Sequence, residues 1–169
     1  MRRLCLIMLC GLVAVPAAIA AVRAAGDGVL ELRSVDGVVV VNGLSGTLWG
    51  QMDKGRLVVT DPISSDGNVL VSGADRTRTV NDSTTVYFGR NIHFQVTGGK
   101  YRLALRGSGI DFTAVGVGTA QLTGSALAAD PGTYAVDQGR WTPVPLFGQR
   151  LVPFGVQPVP AGGGPVLIP

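Results

Sequence analysis

Residues 100–124, KYRLALRGSGIDFTAVGVGTAQLTG, constrain the fold more than any other stretch. Tyr101, Leu103 and Leu105 alternate with Arg102, Ala104 and Arg106, a period of two that puts the apolar side chains on one face of a strand. Gly107-Ser108-Gly109 supplies a turn, because glycine reaches positive φ without steric cost. Ile110, Phe112 and Ala114 resume the alternation. The pattern predicts a hairpin, with Arg106 and Asp111 as neighbours on its polar face. After Gly116-Val117-Gly118 the inward positions are Ala120 and Leu122, with Val115 and Val117 out of phase. Glycines at such a slip predict a β-bulge or a sharp bend. A helix is excluded, since each glycine would cost it about 1 kcal/mol relative to alanine.

The rest of the chain repeats this character. Glycine is 25 of 169 residues, about twice the usual share, and charged residues are only 15%. Strands are predicted at Val29–Arg33, Val38–Val41, Thr47–Trp49, Arg56–Thr60, Val69–Val71, Thr84–Phe88, Asn91–Thr97 and Thr133–Val136. Asp36-Gly37, Asn42-Gly43, Met52-Asp53-Lys54-Gly55 and Gly98-Gly99 are read as turns between them. Four consecutive valines, Val38 to Val41, suit a strand covered on both faces. Ser72 to Ser83 is the most polar internal segment and reads as a surface loop. A loose echo between residues 51–61 and 95–106 falls short of a repeat. The expectation is an all-β fold: an antiparallel β-sandwich or β-roll of about ten short strands. A β-solenoid is the alternative, because glycine-rich turns recur.

The ends differ from the middle. Arg2 and Arg3 precede an uncharged apolar run, Leu4 to Val15, then Pro16 and small residues with Ala18-Ile19-Ala20 and Val22-Arg23-Ala24 as cleavage candidates. This is the pattern of a secretory signal peptide, and the apolar run is too short for a membrane span. The expected organisation is a signal peptide over 1–25, one all-β domain over 26–142 and a Pro/Gly-rich tail over 143–169, partly disordered. No transmembrane span is expected in the mature chain. Cys5 and Cys10, the only cysteines, fall inside the leader. A mature chain without cysteine has neither disulfide nor thiolate, which fits an exported bacterial envelope protein better than a small disulfide-stapled secreted domain. The formal charge of +3 also belongs to the leader, since Arg2, Arg3 and Arg23 leave with it. Net charge therefore gives no ground for nucleic acid or an anionic membrane surface as partner. Localisation is expected in the periplasm, the cell envelope or outside the cell.

Motifs for chemistry are sparse. His93 is the only histidine and falls on the polar side of its strand. Ten of the eleven acids are aspartates, mostly beside glycine, proline or polar loop residues, which is turn chemistry. Asp53 with Asp61, or Asp66 with Asp75, are the pairs that folding could oppose across a cleft. The Asp61–Asn68 loop lacks the ligand spacing of a calcium loop. Strands follow Gly107-Ser108-Gly109 and Gly116-Val117-Gly118, where a phosphate cradle needs a helix N-terminus. No catalytic, cofactor or metal residue is assigned. Trp49, Tyr87 and Tyr101 are the candidate ligand-binding residues, since exposed aromatic faces can stack on sugar rings. The expected function is non-enzymatic: adhesion, assembly or scaffolding in the envelope, with an envelope protein or polysaccharide, or a second copy, as partner. The alternative is a small carbohydrate-binding module or glycan-active enzyme using loop aspartates and Trp49.

Overall fold

The protein is seen in a computed structural model, which describes residues 24–63 and 65–156. The expected signal peptide, apart from its last two residues, and the end of the tail from residue 157 lie outside the described residues. All regular elements described are strands: β1 (Gly28–Thr60), β2 (Gly67–Asn81), β3 (Thr84–Gly98), β4 (Tyr101–Gly124), β5 (Thr133–Val136), β6 (Thr142–Pro143) and β7 (Arg150–Phe154). They form one antiparallel sheet in the order β2-β3-β1-β4-β7, with β5 paired to β1 and β6 to β5. The sheet is open, and β2 is its outermost strand on one side.

Two strands are far longer than the turn signals imply. β1 has 33 residues and β4 has 24. Asp36-Gly37, Asn42-Gly43 and Met52–Gly55 lie inside β1, and Gly107-Ser108-Gly109 lies inside β4, so none of them closes a hairpin. Arg106 pairs with Val38 and Arg56 across the sheet, not with Asp111. The polar segment from Ser72 is also strand, with only Asp82 and Ser83 left as the turn into β3. Gly98 and Gly99 do turn the chain, at φ 76° and 59°.

The glycines are used for a different purpose. β4 pairs with β1 along both of its edges. Leu105 lies between Val39 and Leu57, and Ala114 between Leu30 and Leu48, so the two flanking stretches of β1 are 18 residues apart. A continuous strand can flank its partner on both sides only if the sheet winds back on itself. One circuit of β1 therefore takes 18 residues. Where the strands bend, glycines meet across the ladder: Gly89, Gly55, Gly107, Gly37 and Gly124 are successive partners in one row. Gly28, Gly116 and Gly46 are partners in another. A Cβ on Gly46 would meet the Val115 carbonyl and come 2.7 Å from Gly116 Cα. At these bends the backbones approach too closely for any side chain.

Burial changes phase at the same places. In β1 the inward residues are Leu30 and Leu32, then Val35, Val39 and Val41, then Leu48 and Met52, then Leu57 and Val59. Even numbers give way to odd and back again. Val38 is 37% exposed while Val39 is fully buried, so the run of four valines is an ordinary half-buried strand and not one covered on both sides. β4 switches likewise, from Tyr101, Leu103 and Leu105 to Ile110, Phe112 and Ala114. The inward residues of β1, β3 and β4 join Tyr134, Val144, Val152 and Phe154 in one apolar core. Each fully buried leucine contributes about 1.5–3 kcal/mol relative to an exposed one.

The first part of the Pro/Gly-rich tail belongs to this structure. β7 pairs with the end of β4, Val152 opposite Ala120 and Phe154 opposite Gly118. Val144, Val152 and Phe154 are buried, whereas Leu146, Phe147 and Leu151 remain exposed.

Candidate functional site

The outward side chains of the sheet are set by the same alternation. Trp49 lies between the inward residues Leu48 and Gly50, so its indole points away from the core. Its cross-strand partners are Gln95 on β3 and Thr113 on β4. Thr113 pairs in turn with Glu31, and Gln95 with Leu70. One step along, Gln51 lies between His93 and Asp111, and His93 pairs with Ser72. These two rows line an open groove of about 710 Å³ on the outer surface. Trp49 is 36% exposed there.

Two charged residues at one end of the groove already have structural partners. The Arg33 guanidinium sits 4.0 Å from the centre of the Trp141 ring, a cation–π contact. The Ser34 backbone N–H donates to Asp111 Oδ1 at 2.8 Å, where Ser34 takes φ 50°. A reciprocal bond runs from the Gly109 N–H to Asp36 Oδ1, also at 2.8 Å. Together they fasten the bend of β1 to the bend of β4. What the groove presents beyond these is amide, imidazole, hydroxyl and carboxylate groups beside an indole face.

The three aromatic candidates do not share a surface. Tyr101 is 4% exposed, with its ring packed on Gly43, where a Cβ would collide with it. An aromatic ring over a strand glycine covers backbone that lacks a side chain of its own. Burial pushes the Tyr101 phenol well above its ordinary pKa of 10.0. Tyr87 is half-buried and lines a separate small hollow with Val59, Asp61 and Val69. Only Trp49 is in the groove.

The aspartates serve backbone more than any cleft. Asp61 Oδ1 accepts from the Ile63 N–H, Asp130 Oδ1 from the Gly132 N–H, and Asp137 Oδ1 from the Val29 N–H. Asp53 and Asp66 lie against Gly109 and Gly99 respectively. Among the described residues no group of three His, Cys, Asp or Glu side chains is placed to hold a metal. No helix among them is long and apolar enough to cross a membrane. Gln51, Gln95, Thr113 and Glu31 were not singled out from the sequence. The clean alternation of 91–97 placed Gln95 outward, but its neighbour across the ladder is a matter of register.

The fold and groove define an all-β protein built on a wound antiparallel sheet. Comparison with protein-family models, curated proteins and solved structures finds no match to this chain.

Proposed function

We propose that this is an exported, non-enzymatic β-domain of the bacterial envelope that assembles through the open edge of its sheet. Of the architectures expected, the β-roll is favoured, because an 18-residue circuit with bends is a flattened coil. The observation that carries the functional reading is the contrast between the two sides of the sheet. β2 is 15 residues long, proline-free, mostly exposed and paired only with β3. Val80 on it is 57% exposed. The opposite side ends in short strands containing Pro143 and Pro153, which lack an N–H to donate. A free edge of that length is a template for β-strand addition. One open and one proline-blocked side favour a closed pair over a fibre.

The partner proposed is a second copy, edge to edge. Sedimentation of the purified protein should show a monomer–dimer equilibrium, and Thr79→Lys with Val80→Lys should move it to monomer without lowering the melting temperature. A monomer at all concentrations would refute the reading. Export is tested separately: deleting residues 1–25 should retain the protein in the cytoplasm, and continued export would overturn the localisation.

A second reading, carbohydrate binding, is favoured by the groove, since Trp49 there is flanked by Gln51, Gln95 and His93. An indole face with neutral donors and acceptors suits a pyranose. Titration with cellopentaose, maltopentaose and chitopentaose, followed by the Gln side-chain amide signals, should show one ligand lost on Trp49→Ala. No shift with any of them would remove this reading.

A further inference from the structure

The coil has a second outward surface, made by the next flat run of each strand. Its register gives three rows. Val38, Arg106, Arg56, Phe88 and Arg76 are successive cross-strand partners. Val40, Ala104, Val58, Val86 and Arg78 form the next. Asn42, Arg102, Thr60, Thr84 and Asn81 form the third. Inward neighbours Val39, Val41, Leu57, Leu103 and Leu105 are buried, so these rows face out.

Five arginines share this face, and none of its three rows contains an acid. The acids next to these rows along the chain are Asp61 after Thr60, Asp75 before Arg76 within β2, and Asp82 after Asn81. Arg56 stands directly opposite Arg106. Like charges facing each other across a ladder are destabilising, and no ion pair within the described residues offsets this one. Arg76 is stacked on Phe88, 4.6 Å from the ring centre, which holds its guanidinium on the surface. The middle row is apolar apart from Arg78, and its Val40, Ala104, Val58 and Val86 are half-buried. These five passes, two of them by β1, span roughly 20 Å at about 4.8 Å spacing, and the face continues past Val40 to Gln121 and Leu151.

We propose that this face docks on an anionic lipid bilayer, its arginines on headgroup phosphates and its valine row against the interface. Guanidinium pairs take phosphate oxygens bidentately, and an anion between Arg56 and Arg106 relieves their repulsion. The apolar row distinguishes the occupant. A soluble polyanion would engage only the arginines, whereas a bilayer surface offers both phosphate and the edge of the hydrocarbon. The surface is separate from the Trp49 groove; it takes in the outward side chains of β2, Arg76, Arg78 and Asn81, and not that strand's free backbone edge, so the proposal depends on neither of the readings above.

The test is co-sedimentation of the protein lacking the leader, residues 26–169, with vesicles of phosphatidylcholine, with and without one quarter phosphatidylglycerol. Binding is expected only to the anionic vesicles, and should weaken with salt as exposed charges are screened. Each arginine near such a surface is worth about fivefold in affinity. Arg56→Gln with Arg106→Gln should therefore lose about 25-fold and, by removing facing charges, should not lower the melting temperature. The charge-matched control is Arg140→Gln with Arg150→Gln, which should bind like the parent. Absence of binding to anionic vesicles, an equal loss in the control, or full displacement by soluble polyphosphate at equal phosphate concentration would each overturn the proposal.

Discussion

Replacing Gly107 with alanine separates a wound sheet from a hairpin. In a hairpin, residues 107–109 would be a solvent-facing turn, and alanine at an ordinary φ would be harmless or slightly stabilising, by about 0.4–1 kcal/mol through the unfolded chain. In the structure Gly107 lies between Gly37 and Gly55 of β1. A Cβ there would meet the Lys54 carbonyl oxygen and come 2.9 Å from Gly55 Cα and 2.8 Å from Met52 Cε. The methionine end can swing away, but the two backbone atoms cannot. Overpacking of this kind costs about 1–3 kcal/mol. After the unfolded-state gain, Gly107→Ala should destabilise by about 1–2 kcal/mol. Two companions calibrate it. Gly148 has φ 80° and nothing within 4 Å, so alanine there should cost only the backbone strain, about 1 kcal/mol. Gly116 has φ 145° and a Cβ site 2.8 Å from Gly46 Cα, so strain and collision add to about 3 kcal/mol. Urea unfolding with unchanged m-values gives the comparison. If Gly107→Ala is as stable as the parent, β1 and β4 do not stack glycine on glycine at this bend, and the double-edged pairing is wrong.

Three further outcomes follow from the same structure. Tyr101 has a raised folded pKa, so its contribution to stability is intact below the unfolded value near 10 and is lost as pH rises above it; alkaline unfolding should be displaced upward in Tyr101→Phe, with the stability slope reduced by at most about 1.4 kcal/mol per pH unit. Asp36→Ala and Asp111→Ala should each cost about 1 kcal/mol by releasing the Gly109 and Ser34 amides, and because both bonds fasten one bend the double variant should lose less than the sum in urea titrations. Val39→Thr should cost about 1–3 kcal/mol for a buried hydroxyl, whereas Val38→Thr, 37% exposed, should stay within about 0.5 kcal/mol of the parent in thermal melts; equal costs would show that the valine run is covered on both faces.

Local alternation and composition were enough to read an all-β chain, the inward sets Ile92, Phe94, Val96 and Tyr101, Leu103, Leu105, and a phase change near the glycines of β4. They misassigned Asp36-Gly37 and Gly107-Ser108-Gly109, because a turn signal states only that the backbone can bend. Whether it reverses or merely changes direction depends on what lies across the ladder, and at Gly37 and Gly107 that is another glycine far away along the chain, Gly107 or Gly124 for the first and Gly37 or Gly55 for the second. The site was less legible still. Trp49 beside Gly50 is a candidate for exposure, yet core packing is the commoner use of such a ring, and Gln95, Thr113 and Glu31 reach it only through register. The arginine face was hidden by net charge, since five cations can gather on one surface of a chain whose total is near neutral.

One signal in the sequence did carry the winding, and it is a repeat of nine. Glycines fall at 28, 37, 46 and 55, and again at 98, 107 and 116. The inward residues Leu30, Val39, Leu48 and Leu57 keep that spacing, as do Phe94, Leu103 and Phe112, and Ile92, Tyr101 and Ile110. Nine is odd, so strict strand alternation would send every second member of such a series to the outside. All of them are inside. The parity must therefore be reset once in every nine residues, and a glycine or bulge at each bend is what resets it. Two such segments make the 18-residue circuit that the pairing of β1 with β4 measures independently. A search for apolar alternation treats each reset as the end of a strand, which is why one strand of 33 residues reads as several short ones. The odd period and the glycine at each reset together imply bends that always turn toward the same side, and a sheet that bends repeatedly to one side encloses its own core.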